Sequence, residues 1–150
     1  MMTEISLNVL DVSENSTRAG ASLVTILVTA DTSADKLTIV IADNGCGMTP
    51  EQAAHVTDPF FTTRTTRKVG LGIPFFKYAA ESTGGSFHIE SEPGKGTTVT
   101  AVFGLSHIDR MPLGDMNATI HNLIVYHPDT DFLYTYTYND ASFTLDTREM

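Results

Sequence analysis

Residues 37–48, LTIVIADNGCGM, decide how the chain is read. LTIVIA is a β-branched, apolar run that predicts a strand. It runs without a break into Asp43-Asn44-Gly45-Cys46-Gly47-Met48. A buried strand end followed by an Asp and two Gly lets backbone approach a flat ligand with no Cβ in the way. The Asp is then placed to accept a hydrogen bond from an amino group on that ligand. Alone the string is weakly specific, since calcium loops and plain turns share it. Immediately upstream, SLVTILVTA (22–30) predicts another strand and DTSADK (31–36) has turn chemistry, so the two strands form a hairpin.

Before the hairpin, a helix is predicted from about Thr3 to Thr17. Ile5, Val9, Val12 and Ser16 recur at helical spacing as its buried stripe, and Gly20 is its stop signal. On the opposite face, Asp11, Asn15 and Arg18 fall within about 60° of one another. Asn15 offers an amide oxygen to a hard cation such as Mg²⁺. Arg18 is able to contact phosphate, and Asp11 to orient or deprotonate a water. The plain alternative is a solvated polar face.

After the hairpin, Thr49 caps a short helix with Pro50 at its first position. Then come Asp58-Pro59-Phe60-Phe61-Thr62-Thr63-Arg64, a basic cluster, and Gly70-Leu71-Gly72. Glycines flanking a Thr/Arg/Lys loop suit a phosphate-facing lid, and Gly72 stands near a helix N-terminus, where backbone N–H groups favour anions. That helix is expected over roughly 71–82, ending at Gly84-Gly85. Two more strands, SFHIES (86–91) and TTVTAVF (97–103), flank the turn EPGKG. Beyond residue 104 the residues predict a helix from about Asp115 to Tyr126. A hairpin follows, with Phe132, Tyr134, Tyr136 and Tyr138 alternating on one strand, a turn at Asn139-Asp140, and SFTLD returning. The order suggests an α/β two-layer sandwich: a mixed, largely antiparallel sheet covered by helices on one face, plus the C-terminal helix and β-hairpin.

The chain has 150 residues, with nine basic against eighteen acidic, a formal charge of −9. Its length fits one domain. So acidic a protein repels polyanions at long range, which disfavours nucleic acid and anionic membranes as partners. The longest uncharged, mostly apolar stretch, Ala19 to Ala30, is short of the roughly 20 residues that span a bilayer. The N-terminus has no basic n-region of a signal peptide, and one Cys forms no internal disulfide, so a cytoplasmic setting is the expectation. Three of the nine cations, Arg64, Arg67 and Lys68, nonetheless fall within five positions. The composition shifts after about residue 104, dividing a main body of 1–104 from an extension of 105–150 expected to pack on the same domain.

Taken together, the motifs resemble the ATP-binding domain of the GHKL superfamily, the Bergerat fold of histidine kinases, type II topoisomerases, mismatch-repair ATPases and heat-shock chaperones. The boxes stand in family order: LDVSENSTRAGAS as N-box, DNGCGM as G1, DPFFTTR as an F-box-like stretch, VGLGI as G2 and GKGTT as a G3-like turn. The resemblance spans roughly residues 5–103. It implies that Asn15 holds Mg²⁺, that Arg18 contacts phosphate, and that Asp11 is the catalytic carboxylate, where the hydrolysing branches usually carry Glu. It implies that Asp43 recognises the adenine amino group, with Gly45, Gly47 and Met48 beside the base and Thr97 supporting Asp43, often through water. Arg64 and Lys68 fall in the ATP lid, and Gly70, Leu71 and Gly72 in the hinge beside the triphosphate. Phe60 and Phe61 read as lid anchors, Cys46 as a small pocket neighbour and Lys95 as a surface turn residue.

The chain departs from the family in opening almost at the N-box, without the strands that usually precede it, and the C-terminal helix and hairpin are expected to supply the missing packing. None of His55, His88, His107, His121 or His127 stands in an upstream coiled-coil-like helix, so self-phosphorylation in the sensor-kinase manner is not expected. The expected function is a Mg-ATP-binding ATPase or protein kinase domain acting in signalling on a partner protein in trans, with a homodimer allowed. The alternative is a non-enzymatic nucleotide-sensing module whose lid gates partner binding.

Overall fold

The computed structural model describes residues 4–56 and 72–149. Helix α1 spans Ile5–Arg18, strand β1 Leu23–Asp31, β2 Lys36–Asp43 and α2 Pro50–Val56. They are followed by α3 (Gly72–Glu81), β3 (Ser86–Glu92), β4 (Gly96–Gly104), α4 (Met116–Tyr126), β5 (Asp131–Tyr138) and β6 (Ala141–Asp146). A single 3₁₀ turn, Thr147–Glu149, closes the described chain. The strands form one six-stranded sheet in the order β3-β4-β2-β1-β5-β6. Every pairing is antiparallel except that of β5 with β1.

Period-two alternation orients the sheet. Val24, Ile26, Val28 and Ala30 on β1, Leu37, Ile39 and Ile41 on β2, and Val99, Ala101 and Phe103 on β4 are all buried. The registers set them side by side, for instance Ile26 beside Ile41 beside Val99. This face receives Ile5, Val9 and Val12 of α1, Ile73, Phe76 and Ala80 of α3, and Met116, Ile120 and Leu123 of α4. The result is the expected two-layer α/β sandwich, with helices on one face of an open, mixed sheet. The other face carries threonines at Thr25, Thr38, Thr98, Thr100 and Thr135.

Local chemistry explains the ends of the elements. Asp31 Oδ1 accepts from the backbone N–H groups of Ser33 and Ala34 and closes the β1–β2 turn. Thr49 Oγ1 accepts from Gln52 N, and Gln52 Oε1 accepts from Thr49 N, a reciprocal capping box around Pro50. Asp115 caps α4 through Ala118 N at 2.9 Å.

Helix α1 begins at Ile5, two residues later than the hydrophobic spacing predicts, and no side chain caps it. Its first N–H groups are satisfied from far along the chain instead. Ile5 N donates to Pro112 O at 2.9 Å and Ser6 N to Leu113 O at 2.8 Å. The buried stripe of α1 is also wider than expected, because Asn8 and Ser13 are fully buried.

The Tyr-bearing strand β5 lies along the outer edge of β1, with Phe132 and Tyr134 buried and Tyr138 about half exposed. Glu14 and His127 join α1 to the end of α4, with Nε2 and Oε1 2.9 Å apart.

Candidate functional site

The end of β2 carries the candidate site because register places it there. Val24, Asp43, Thr97 and Ser91 stand in one row across β1, β2, β4 and β3, all on the helix-covered side. Ser16, in the last turn of α1, reaches down to this row. Its Oγ donates to Asp43 Oδ2 at 2.7 Å, and Gly45 N donates to Asp43 Oδ1 at 2.8 Å. Both carboxylate oxygens are thereby held in place, and among the described residues each keeps one lone-pair site free to accept.

Ser91 organises the other half of the row. Its Oγ accepts from Met48 N at 2.8 Å and lies 2.7 Å from Thr97 Oγ1 and 3.0 Å from Gly96 O. Thr97 was expected to support Asp43. Its hydroxyl lies 2.7 Å from Ser91 Oγ, and the direct partners of the carboxylate are Ser16 Oγ and Gly45 N. Neither serine was singled out as a site residue from the sequence. Ser91 was legible in the alternation Phe87, Ile89, Ser91 on the core side of β3, and Ser16 was read as a member of the buried stripe without its polar duty.

The glycines of the G1 stretch answer to the backbone around them as well as to any ligand. Gly45 lies against the end of α1, where a Cβ would come within 2.9 Å of Ala19 O. Gly47 has φ +71, and a Cβ there would land 2.0 Å from Glu92 O. The loop is zipped to the β3–β4 turn by Gly94 N donating to Cys46 O at 2.7 Å, and to α1 by Cys46 N donating to Ala19 O at 3.0 Å. The Cys46 side chain is exposed rather than tucked into a pocket. Asn44 pins the start of β1, its Oδ1 accepting from Ser22 N and Leu23 N.

A cavity of about 730 Å³ opens over the row, with Asp43, Ala53, Ile89, Ser91 and Thr97 among its walls. This is within the size range of small-molecule sites. Lys95 stands at its edge, paired with Glu92 at 4.0 Å on the surface turn, as expected.

On α1, Arg18 Nη2 donates to Asn15 Oδ1 at 3.0 Å. The three polar residues of this face are thus brought together as the helical spacing requires. Burial pushes the Asp11 carboxyl above its ordinary value, the charge of Arg18 pulls it partly back, and Glu14 adds to the rise. Among the described residues no group of three or more His, Cys, Asp or Glu is arranged to hold a metal ion. A cation here would take Asn15 Oδ1 as a single protein ligand and depend on its own waters and a phosphate for the rest, which is the habit of Mg²⁺. Gly72 is the first residue of α3. Arg64, Lys68, Gly70 and Leu71, together with Phe60 and Phe61, lie outside the described residues.

The sequence pattern of the histidine kinase-, DNA gyrase B-, and HSP90-like ATPase family matches residues 1–107, and the chain belongs to that family. Among curated relatives, the sensor protein SrrB of Staphylococcus aureus is 33% identical over 102 residues, 65% of this chain and 17% of its own length. A putative sensor protein of Shewanella frigidimarina is 39% identical over 70 residues, 46% of this chain and 11% of its own. The chain therefore spans less than a fifth of these relatives.

Two solved structures share the fold. The N-terminal domain of a DNA repair protein superposes with a TM-score of 0.66 at 13% identity, over 97% of this chain and 53% of that one. The ATPase domain of Aquifex aeolicus MutL, complexed with ADP, gives 0.55 at 16% identity, over 97% and 64%. No helix among the described residues is long and apolar enough to cross a membrane.

Proposed function

We propose that this chain is a Mg-ATP-binding domain that serves a signalling protein as ATPase or kinase and acts on a protein partner in trans from the cytoplasmic side. Its main support is the Asp43 carboxylate, held by Ser16 Oγ and Gly45 N at the wall of a ligand-sized cavity and left with free acceptor sites. An adenine amino group is the donor it suits. Met48 and Thr97 flank that position through their bonds to Ser91, and Gly45 and Gly47 keep the backbone close.

Mg²⁺, when bound, supplies charge neutralisation between the phosphates and the chain. Asn15 is its ligand in this assignment. Arg18, whose Nη2 donates to Asn15 Oδ1, stands beside that ligand and would be placed to contact a phosphate held there. Asp11, on the same face and with a carboxyl that burial makes more basic, is the group to take a proton from the attacking water or hydroxyl. In this reading Gly70, Leu71 and Gly72 take the hinge role, and Arg64 and Lys68 the lid role, that the family resemblance implies. Residues 1–104 form the nucleotide-binding body, and 105–150 is an extension packed on it. The caps that Pro112 and Leu113 place on α1 and the pairing of β5 with β1 support that packing.

Calorimetric titration with a non-hydrolysable ATP analogue and Mg²⁺ tests the assignment. Saturable binding by wild type, weakened about 100-fold or more in Asp43→Ala, is the expected result, because a charge-assisted hydrogen bond and the order of the row are lost together. No binding by wild type sinks the proposal. A nucleotide-sensing module without turnover is the second reading, favoured by Asp rather than the longer Glu at position 11. Steady-state phosphate release in wild type and Asp11→Asn separates the two.

A further inference from the structure

Among the described residues the sheet ends in two free edges, β3 and β6, and they are built differently. Strand β3 carries His88, Glu90 and Glu92 on the side away from the helices, all exposed. Charge of this kind guards an edge against pairing with another chain. Strand β6 lacks such a guard, since residues 141–145, ASFTL, hold no charge and no Pro. The carboxylate at its end, Asp146, is tied to Arg148 at 2.7 Å. Phe143 meets Tyr134 edge to face and is still 55% exposed.

Parity fixes which backbone groups of β6 face outward. Tyr138 stands opposite Ala141 across the two-residue turn Asn139-Asp140, so this closing pair exchanges hydrogen bonds, and so in turn do Phe143 and Leu145 with Tyr136 and Tyr134. The N–H and C=O groups of Ser142, Thr144 and Asp146 therefore point away from β5, and no strand among the described residues takes them.

We propose that β6 pairs with β6 of a second copy of this chain, antiparallel about a two-fold axis at Thr144, joining the two sheets into one. The interface is independent of the nucleotide assignment. Such an axis sets Thr144 opposite Thr144 of the second copy and Ser142 opposite Asp146 of the second copy, and all of these residues have outward backbone. On the helix-covered side, Phe143 falls opposite Leu145 of the second copy, twice over. Hydroxyl–hydroxyl, hydroxyl–carboxylate and aromatic–aliphatic pairs all favour the pairing. The same register carries Arg148 towards Asp140 of the second copy, a meeting of opposite charges in a chain that is acidic overall. The neighbouring register, centred on Phe143, pairs Ser142 with Thr144 alone and turns Asp140 towards Asp146 of the second copy, a meeting of like charges. Charge and hydrogen bonding thus select the Thr144 register. A six-residue edge is a small contact, so the dimer is a weak one that fills with concentration.

Sedimentation velocity of the full chain between about 10 μM and about 1 mM tests the proposal, and a shift from monomer to dimer across that range is the expected result. Thr144→Pro removes an outward N–H that the β5–β6 ladder does not use, so the fold should stand while the dimer weakens about tenfold or more. Phe143→Glu sets a carboxylate against Leu145 of the second copy and should weaken the dimer as well; it decides the matter if circular dichroism shows Thr144→Pro unfolded. In a Cys46→Ser background, Thr144→Cys brings two thiols together at the axis, with Cα atoms about 5.5 Å apart, and a short thiol-reactive crosslinker should join them. Ser142→Cys should not be joined, because its mate lies four residues along the strand, about 13 Å away. Three results overturn the proposal: a monomer throughout the range, a dimer that the folded edge variants leave unchanged, or Ser142→Cys linking as readily as Thr144→Cys.

Discussion

Gly47→Ala probes the joint on which the candidate site depends. A Cβ at position 47 would lie 2.0 Å from Glu92 O and 2.8 Å from Glu92 C, where ordinary contacts begin at 3.4 Å. The β3–β4 turn must therefore yield by more than an ångström, and the backbone at φ +71 must be held by a residue with a side chain. The left-handed conformation costs about 1–2 kcal/mol, and a forced displacement of packed backbone about 1–3 kcal/mol. Together they come to about 2–5 kcal/mol, a large part of the roughly 5–15 kcal/mol that holds a domain of this size. Gly94→Ala is the internal control. Its φ is +81, yet nothing lies within 4 Å of the added Cβ, so only the conformational cost of about 1–2 kcal/mol applies.

Urea unfolding of both variants beside wild type measures the difference. At about 2–4 °C per kcal/mol for a chain of this length, the two should also separate in thermal unfolding. Displacing Glu92 also drags its neighbour Ser91, and with it the bonds to Met48 N and Thr97, so affinity for the ATP analogue should fall in Gly47→Ala and not in Gly94→Ala. If Gly47→Ala is no more destabilising than Gly94→Ala, the G1 loop is not pinned by the β3–β4 turn, and the account of the glycine is wrong.

Other outcomes follow from the same geometry. Ser91→Ala removes the partner of Met48 N and of Thr97 Oγ1, and should cost about 1–3 kcal/mol in denaturant unfolding while weakening nucleotide binding; unchanged stability would show that water replaces the hydroxyl. Asp11→Asn should raise the unfolding temperature at pH 7. Burial lifts the folded-state carboxyl above 3.8, so its ionised form weighs against folding as pH rises past that value. The advantage should vanish below about pH 3.8, and phosphate release should drop at every pH; an equal or lower unfolding temperature at pH 7 contradicts the burial argument. Deleting 105–150 removes Ile120, Leu123, Phe132 and Tyr134 from the core. At about 1.5–3 kcal/mol each, that is about 6–12 kcal/mol, on the scale of the whole stability. The fragment should be unfolded or insoluble by circular dichroism and gel filtration, and a folded, nucleotide-binding 1–104 would refute the packing role of the extension.

The chain itself determined much of this architecture, because the signals concerned are local. Alternating β-branched runs, the Asp31 turn, the Thr49–Gln52 capping box and the 3.6-residue spacing of Ile5, Val9 and Val12 each act within a few residues. Asp11, Asn15 and Arg18 were brought to one face by that spacing alone. Tertiary structure decided what meets across long separations. Ser16 finds Asp43 27 residues away, Pro112 and Leu113 cap the start of α1, and β5 joins β1 in parallel while a hairpin partner pairs with it on the other side. Periodicity names the side of a strand a residue takes, and it carries no register between strands. The row of Asp43, Thr97 and Ser91 therefore existed only once β2, β4 and β3 had paired. Asn8 shows the limit most sharply. Its helical position placed it near the buried stripe, but only the packing of α3 and the 105–113 segment turned a surface-type amide into a fully enclosed one.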